Sequence, residues 1–144
     1  MFTLDPRLKN DTLLIGEFTL CRALLMNDAR YPWVILVPRV TGVTEVYQLS
    51  AADQQQLMCE SNSVAQKLMQ LVSADKMNVA ALGNVVSQLH IHHIARYQSD
   101  QTWPAPVWGK GEAVAYSEQE QQAVVGQLQQ IFNDLIDNGK NSTI

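Results

Sequence analysis

Apolar residues along this chain fall either into short runs, which predict strands, or into periodic stretches, which predict helices. The first short groups lie within 13–15 and 18–26. We interpret them as two strands, the second ending at Asn27-Asp28. A single helix through residues 20–26 is the alternative, because short apolar runs do not distinguish a strand from a buried helix segment.

Two further strands are predicted, and the chain starts with a lead-in that lacks regular structure. Residues 34–37 form a continuous apolar run closed by Pro38, which is typical of a buried strand. Residues 77–82 are the next strand candidate. We interpret residues 4–9 as irregular, because Pro6 discourages regular structure at their start.

Two amphipathic helices are predicted from apolar residues that recur at helical spacing. The first runs from about residue 51 to 73, with Ser50 as its N-cap and Asp53 completing the capping pattern. The second begins after Ser117, which repeats that pattern, and ends at Asn138-Gly139. The chain therefore predicts an α+β fold: a mostly antiparallel sheet, a long helix packed across it and a carboxy-terminal helix.

We expect a single domain over residues 1–144, with a core over about 11–100 and a carboxy-terminal loop and helix over 101–138. The loop is rich in tryptophan, proline and glycine, a composition that indicates ordered structure rather than a flexible linker. Its Trp103 and Trp108 could line the mouth of a substrate site or pack in the interior.

Composition and charge narrow the classes of function. The net charge of −4 and the pI of about 5.2 argue against a nucleic-acid binder, which would carry a basic surface. Cys21 and Cys59 form neither a disulfide framework nor a zinc-binding spacing. No basic leader precedes an apolar segment, and no apolar run reaches the roughly 18 residues of a membrane span. We therefore expect a cytoplasmic protein with no nucleic-acid or membrane partner.

All three histidines of the chain lie within residues 90–93, inside an apolar stretch over 85–96 that predicts a strand. Alternate side chains of a strand share a face and lie about 6.5–7 Å apart. Gln88, His90 and His92 would then form a row of polar groups on one face. Such a row needs partners, either from the protein or from a ligand.

The residues alone leave three interpretations of this row open. His90 could attack a phosphorus or acyl centre, because a neutral imidazole nitrogen is a good nucleophile near pH 7, and His92 could then protonate the leaving group. The histidines could instead bind a metal ion, although the usual sites need three or four ligands. They could also be structural side chains satisfied by their neighbours.

The stretch from Gly83 to Arg96 resembles the signature strand of the histidine triad (HIT) superfamily, in which histidines alternate with apolar residues. Residues 31–38 resemble the family's proline-flanked buried strand, and residues 24–28 resemble a segment that ends in a ribose-binding acid or amide. Order, spacing and the intervening long helix agree over roughly residues 13–97. The resemblance implies a HIT-like fold, with a mostly antiparallel sheet of about five strands.

The resemblance also implies nucleotide phosphoryl chemistry that needs no metal or other cofactor. Members of the family attack the α-phosphorus of nucleoside phosphates or dinucleoside polyphosphates with the middle histidine, and water resolves the nucleotidyl-histidine. Carried over to this chain, His90 is the nucleophile, oriented through its other ring nitrogen by a backbone carbonyl. His92 matches the third histidine and would assist the leaving group or hold a phosphate oxygen.

Further residues are assigned to the substrate by the same resemblance. Asp28, or failing it Asn27, matches the ligand of the ribose hydroxyls. Asn84 matches a glutamine that flanks the phosphate, and Asn78 matches an asparagine that contacts it. Family members commonly pair, so a homodimer is expected by analogy.

The chain departs from the family pattern in and around the histidine stretch. Gln88 stands where the first histidine of the motif is expected. Trp33 stands where many members have another histidine, which packs against that first histidine. We interpret these two changes as a paired replacement at one supporting contact, and we keep Gln88 among the catalytic residues and Trp33 in the substrate site. Val85 lacks the hydroxyl that touches phosphate in the family, and His93 should point away from the site as a structural residue.

These observations leave a first hypothesis and two alternatives. The first is a HIT-type hydrolase or nucleotidyl transferase that acts on a nucleoside phosphoramidate, a nucleoside monophosphate ester or a dinucleoside polyphosphate through His90. The second is a nucleotide-binding module that keeps the pocket and has lost the covalent step. The third is a small metal-binding protein that uses His90, His92 and His93.

Overall fold

The computed structural model describes residues 1–137, which form one antiparallel sheet with helices packed on it. The strands of this part are β1 (Thr12–Glu17), β2 (Cys21–Met26), β3 (Trp33–Pro38), β4 (Lys76–Ala81) and β5 (Ile91–Arg96). They lie in the order β1-β2-β3-β5-β4, and every neighbouring pair is antiparallel. The helices are α1 (Pro6–Asp11), α2 (Ala51–Val72) and α3 (Glu118–Ile131), with a 3₁₀ turn at Val46–Gln48. The α+β prediction is confirmed, as is the two-strand interpretation of residues 13–26.

The two long helices begin where their capping residues predicted. The Ser50 hydroxyl accepts a hydrogen bond from the Asp53 backbone N–H at 3.1 Å, and Ser117 does the same for Glu120 at 3.1 Å. Such caps are each worth about 1 kcal/mol, because they satisfy N–H groups that have no partner inside the helix. The second of these helices, α3, ends at Ile131, with Phe132 as its C-cap and turns over residues 132–135, so the prediction that it continues to Asn138-Gly139 is wrong. Asn138 and Gly139 themselves lie outside the described residues. No helix among residues 1–137 is long and apolar enough to cross a bilayer.

The two faces of the sheet are covered by different parts of the chain. On one face, Leu25 and Val34 belong to a buried cluster with Leu57, Val64 and Leu68 of α2. Burying such a side chain contributes about 1.5–3 kcal/mol, so this face anchors the long helix.

The opposite face of the sheet has a second buried cluster. Leu24, Ile35 and Ile94 of the strands lie in it with Leu8 of α1 and with Val107. The amino-terminal helix and the loop that follows β5 therefore meet on the face that α2 leaves uncovered.

The lead-in predicted as irregular is wrong, because residues 6–11 form helix α1. Asp5 is its N-cap and accepts a hydrogen bond from the Arg7 backbone N–H at 2.9 Å. Proline at the first helical position has the φ angle that a helix needs, and its missing N–H costs nothing there. Pro6 therefore starts the helix instead of preventing it.

The predicted histidine strand is too long at its amino-terminal end. β5 begins at Ile91 rather than Val85, because pairing with both neighbouring strands stops there: Leu36 of β3 and Ala81 of β4 are the last residues that pair with it, both opposite Ile91. Residues 85–90 are irregular as a consequence, so only His92 and His93 lie within the strand. His90 lies just before it.

Candidate active site

A cavity of about 390 Å³ opens beside the amino-terminal end of β5. This volume lies within the usual range for small-molecule sites. Its polar lining residues are Arg7, Asp11, Asn84, His90 and His92. Its apolar lining residues include Leu8, Met26, Ile35, Leu82, Val85, Val86 and Trp108. A larger concavity of about 620 Å³ lies over β1 and β2 and is lined by no histidine.

His90 is held by a backbone carbonyl close to it in the chain. Its Nδ1 lies 2.7 Å from the Gln88 carbonyl oxygen. A carbonyl can only accept, so Nδ1 carries the proton and donates it in this hydrogen bond. The neutral ring therefore has its lone pair on Nε2, the nitrogen that a nucleophile needs.

His92 is held in the opposite tautomer by an indole. Trp33 Nε1 lies 2.9 Å from His92 Nδ1, and an indole N–H can only donate, so Nδ1 accepts. The neutral ring of His92 then carries its proton on Nε2. Burial lowers the pKa of His92 to about 3, with the charges of His90 and His93 acting in the same direction. His92 is therefore an uncharged hydrogen-bond donor at neutral pH.

The two imidazoles and two indoles form one aromatic cluster at the cavity. The ring centroids of His90 and His92 lie 4.8 Å apart, and Trp108 lies 5.1 Å from His92 and 5.9 Å from Trp33, all in edge-to-face arrangements. Trp108 thus forms a wall of the cavity of its own chain. The sequence had left open whether this residue lines a substrate site or packs in the interior. Trp33 lies behind His92 and does not line the cavity.

Gln88 holds the amino-terminal segment instead of facing the cavity. Its carboxamide oxygen accepts from the Asp5 backbone N–H at 2.8 Å, and its nitrogen donates to the Thr3 carbonyl at 2.9 Å. The hypothesis of a paired replacement is therefore wrong, because Gln88 and Trp33 serve separate contacts. The register explains this: Trp33 is the first residue of β3 and lies opposite Ile94 of β5, whereas Gln88 precedes β5.

The amino-terminal segment that Gln88 holds brings Arg7 to the cavity. The sequence analysis did not predict this arginine as a site residue. Arg7 Nη1 donates to the Val85 carbonyl at 2.8 Å, while its Nε and Nη2 bind the Asp5 carboxylate at 3.1 and 2.9 Å. The Asp5-Pro6 pair was the available signal for α1, but the proximity of α1 to the histidines comes from the tertiary packing. Leu8 and Asp11 enter the cavity lining for the same reason.

The structure does not bring Asp28 or Asn27 to the cavity lining. Asp28 is 1% exposed, and its carboxylate binds the Arg30 guanidinium and the backbone N–H groups of Arg30 and Val114. Burial raises its pKa, but the hydrogen bonds from Arg30 outweigh this and hold the pKa below its usual value. Asn27 Oδ1 accepts from the Tyr116 backbone N–H at 2.9 Å. Their part in ribose binding stays a prediction that the observed contacts do not favour.

Asn78 and Asn84, both predicted to contact phosphate, occupy different places. Asn84 lines the cavity beside Val85. Asn78 lies opposite Ile94 in the sheet, and its Oδ1 accepts from Arg96 Nη1 at 2.9 Å. Of the two, only Asn84 lines the cavity with His90 and His92.

His93 is a structural residue under α2, as its position in the motif indicated. It is fully buried, its Nδ1 lies 3.2 Å from the Val34 carbonyl, and its Nε2 lies 2.7 Å from the Ser61 hydroxyl of α2. The carbonyl fixes Nδ1 as donor, so Nε2 accepts from Ser61. His93 therefore cannot supply the third ligand of a metal site with His90 and His92. Among residues 1–137, no group of three or more His, Cys, Asp or Glu side chains is placed to hold a metal.

His93 should make the fold sensitive to acid. Burial lowers its pKa to about 4, whereas a histidine in the unfolded chain has a pKa of about 6.5. Between these values the unfolded chain binds a proton that the folded chain does not, so stability falls as the pH drops from about 6.5 to 4 and levels off below. We expect His93 to account for a loss of roughly 3 kcal/mol over that window. Urea unfolding of wild type and His93→Gln at several pH values measures this loss. If the free energy of unfolding falls equally with decreasing pH in both proteins, the prediction is contradicted.

Comparisons with known proteins agree with this geometry. A family model described as HIT domain matches residues 7–99. The crystal structure of a histidine triad protein from Marinobacter aquaeolei VT8 is 53% identical, with 94% of this chain and 98% of that chain covered and a TM-score of 0.92. A histidine triad protein from Sinorhizobium meliloti 1021 is 45% identical, with 90% and 96% of the chains covered and a TM-score of 0.88.

A third structure extends this agreement. A histidine triad protein from Bradyrhizobium japonicum is 43% identical, with 90% and 96% of the chains covered and a TM-score of 0.87. A search of curated proteins found no match. The family model spans more than half of the chain, and the identities to all three structures exceed 40%. This chain belongs to the histidine triad (HIT) family.

Proposed function

We propose that this protein binds nucleotides and acts as a hydrolase or nucleotidyl transferase of the HIT type, attacking the α-phosphate of a nucleoside phosphate derivative through His90. The observation that carries the proposal is the 2.7 Å contact between His90 Nδ1 and the Gln88 carbonyl, because it leaves the lone pair on Nε2 of a side chain that lines the cavity. The same carbonyl stabilises the positive charge that the ring acquires when Nε2 forms its new bond.

The reaction proceeds in two balanced steps. First, the Nε2 lone pair of His90 forms a bond to phosphorus, and the bond from phosphorus to the leaving group breaks, with its electron pair departing on that group. Second, a water oxygen attacks the same phosphorus, the N–P bond breaks and its electron pair returns to Nε2. The water proton passes to solvent, and the nucleoside monophosphate is released.

The cavity offers a different environment at each part of such a substrate. Asn84 has no hydrogen-bond partner among the described residues, and Arg7 uses three N–H groups within the protein, which leaves two of its five for phosphate oxygens. Leu8, Met26 and Trp108 provide apolar contact for a nucleobase. Asp11 lines the same cavity and is an acceptor for sugar hydroxyls.

A nucleotidyl adduct on the protein is the direct test. Wild-type protein is mixed with adenosine phosphoramidate, ATP or diadenosine tetraphosphate, quenched in alkali because the N–P bond is acid-labile, and measured by intact mass. A mass increase of one adenylyl group supports the proposal. No adduct and no turnover with any nucleotide would overturn it.

A nucleotide-binding module without the covalent step is the second candidate. It is favoured by Val85, which lines the cavity without a hydroxyl, and by Gln88, whose side chain is used on the amino-terminal segment. Thermal stabilisation by a nucleotide without any adduct would distinguish this candidate from the enzyme.

The expected homodimer also stays a prediction, which light scattering of the purified protein tests.

Arg7 should contribute to nucleotide affinity through its charge. We expect Arg7→Ala to weaken binding of ATP about 10-fold at low ionic strength and to reduce the salt dependence of binding. Lys9→Ala is the matched control, because Lys9 is a cation on the same helix that does not line this cavity. Titration calorimetry at two salt concentrations measures both. Equal losses for the two variants would show that only net charge matters.

A further inference from the structure

We infer that Trp33 locks His92 as an uncharged Nε2–H donor, and that this restricts the enzyme to phosphoanhydride substrates. Their phosphate leaving groups depart without taking a proton. The inference rests on the proposed function for its chemistry. It narrows the three substrate classes to one, the nucleoside polyphosphates.

The direction of one hydrogen bond is the first step. Trp33 Nε1 donates to His92 Nδ1 at 2.9 Å, and both side chains are buried, with 4% and 5% of their surfaces exposed. A protonated imidazole would carry hydrogen on both nitrogens, so its Nδ1–H would face the indole N–H. Protonation of His92 therefore costs this hydrogen bond and leaves two buried donors opposed.

The groups around His92 do not offset that cost. The residues directly opposite it on the neighbouring strands are uncharged: Ile35 and Ala80. His90 packs against its edge, and His93 follows it on the other face of the strand. Arg7 and Asp11 line the same cavity, but no ion pair or hydrogen bond joins either of them to His92. No carboxylate therefore stabilises an imidazolium here, and the low pKa of His92 agrees with this.

The protonation state decides which leaving groups are acceptable. When the bond between phosphorus and the leaving atom breaks, an amine or an alkoxide departs as a strong base and needs a proton. A phosphate or pyrophosphate spreads the departing electron pair over its own oxygens and needs only a hydrogen bond. His92 Nε2–H makes no hydrogen bond with any described residue, so it remains available for that role. It donates to the leaving oxygen and keeps its proton.

A leaving-group series on one adenylyl group tests this. ATP, adenosine phosphoramidate and the methyl ester of AMP share the attacked phosphorus and differ only in what leaves. For wild type we expect kcat/KM for ATP to exceed the other two by about 10²-fold or more, the usual contribution of general-acid catalysis that this site lacks. Comparable kcat/KM for ATP and the phosphoramidate would overturn the inference while supporting the proposed function. Absence of turnover with all three would overturn both.

Trp33→Phe removes the indole N–H and keeps an aromatic ring, and Trp108→Phe is its matched control in the same cluster. We expect Trp33→Phe to raise the pKa of His92 and to lower the ATP-to-phosphoramidate ratio at least 10-fold at acidic pH. Trp108→Phe should leave that ratio within about 2-fold, because Trp108 donates no hydrogen bond to His92. An unchanged ratio in Trp33→Phe, or an equal change in both variants, would overturn the inference.

The tautomer can be read in the wild-type protein without any variant. Nitrogen-15 correlation spectra of histidine-labelled protein should show His92 protonated on Nε2 only, and unchanged down to about pH 5, while His90 is protonated on Nδ1. A His92 ring that is protonated on Nδ1 or cationic at pH 7 would overturn the inference, whatever the activity.

Discussion

Replacing His90 with alanine should abolish the nucleotidyl adduct and reduce turnover by about 10³-fold or more, since the variant has no group to form the N–P bond. Binding should persist, because the cavity keeps Arg7, Asn84 and the apolar wall that includes Trp108. Adduct formation is measured by intact mass, and binding by the nucleotide-dependent shift in Tm.

His93→Gln is the matched control for this experiment, because it removes a nearby histidine that does not line the cavity. We expect the control to form the adduct, with lower stability, since His93 contacts Ser61 and Val34 rather than the cavity. An adduct that survives in His90→Ala would contradict the assignment of the nucleophile. Loss of nucleotide binding together with the adduct would show that His90 also holds the substrate.

Replacing Arg96 with alanine should destabilise the fold by about 3–5 kcal/mol, because it leaves the buried Asp100 carboxylate without its cationic partner. Arg96 is 1% exposed and makes a bidentate ion pair with Asp100, whose pKa it lowers to about 2. It also donates to Asn78, to the Thr102 hydroxyl and to the Ala105 carbonyl. Arg96 thus joins the loop after β5 to the sheet through several hydrogen bonds at once, and unfolding in urea measures its contribution.

Two further variants sharpen this test. The double variant Arg96→Ala with Asp100→Ala should be more stable than Arg96→Ala alone, because it leaves no uncompensated charge. Lys67→Ala breaks an ion pair with Asp134 at the surface, where the side chains are 32% and 63% exposed, and should cost less than about 1 kcal/mol. A loss below 1 kcal/mol in Arg96→Ala would contradict the prediction. Because this loop carries Trp108, nucleotide affinity should fall as well.

The sequence was a good guide wherever a pattern is local. The apolar run at 34–37, the Ser50 cap and the spacing of the second helix each specify an element through short-range geometry, and the structure has all of them. The histidine motif likewise identified the family and the side of β5 that His92 occupies. Local signals were misread at Pro6, which can either interrupt or start a helix, and at residues 85–90, where the apolar pattern continues beyond the end of the strand.

The contacts that define the site were decided by packing between distant parts of the chain. Gln88 and Thr3 are far apart in sequence, as are Trp33 and His92, and no periodicity relates either pair. The same holds for Asp28, whose likeness to a ribose ligand did not reveal that Arg30 already occupies its carboxylate.

The sequence by itself determined the strands, the two long helices and the pair of imidazoles, because backbone propensity and side-chain alternation act over a few residues. Only the tertiary structure decided the protonation of those imidazoles. A tautomer depends on the partner that faces each nitrogen: for His90 this partner is a nearby carbonyl, and for His92 it is an indole from another strand.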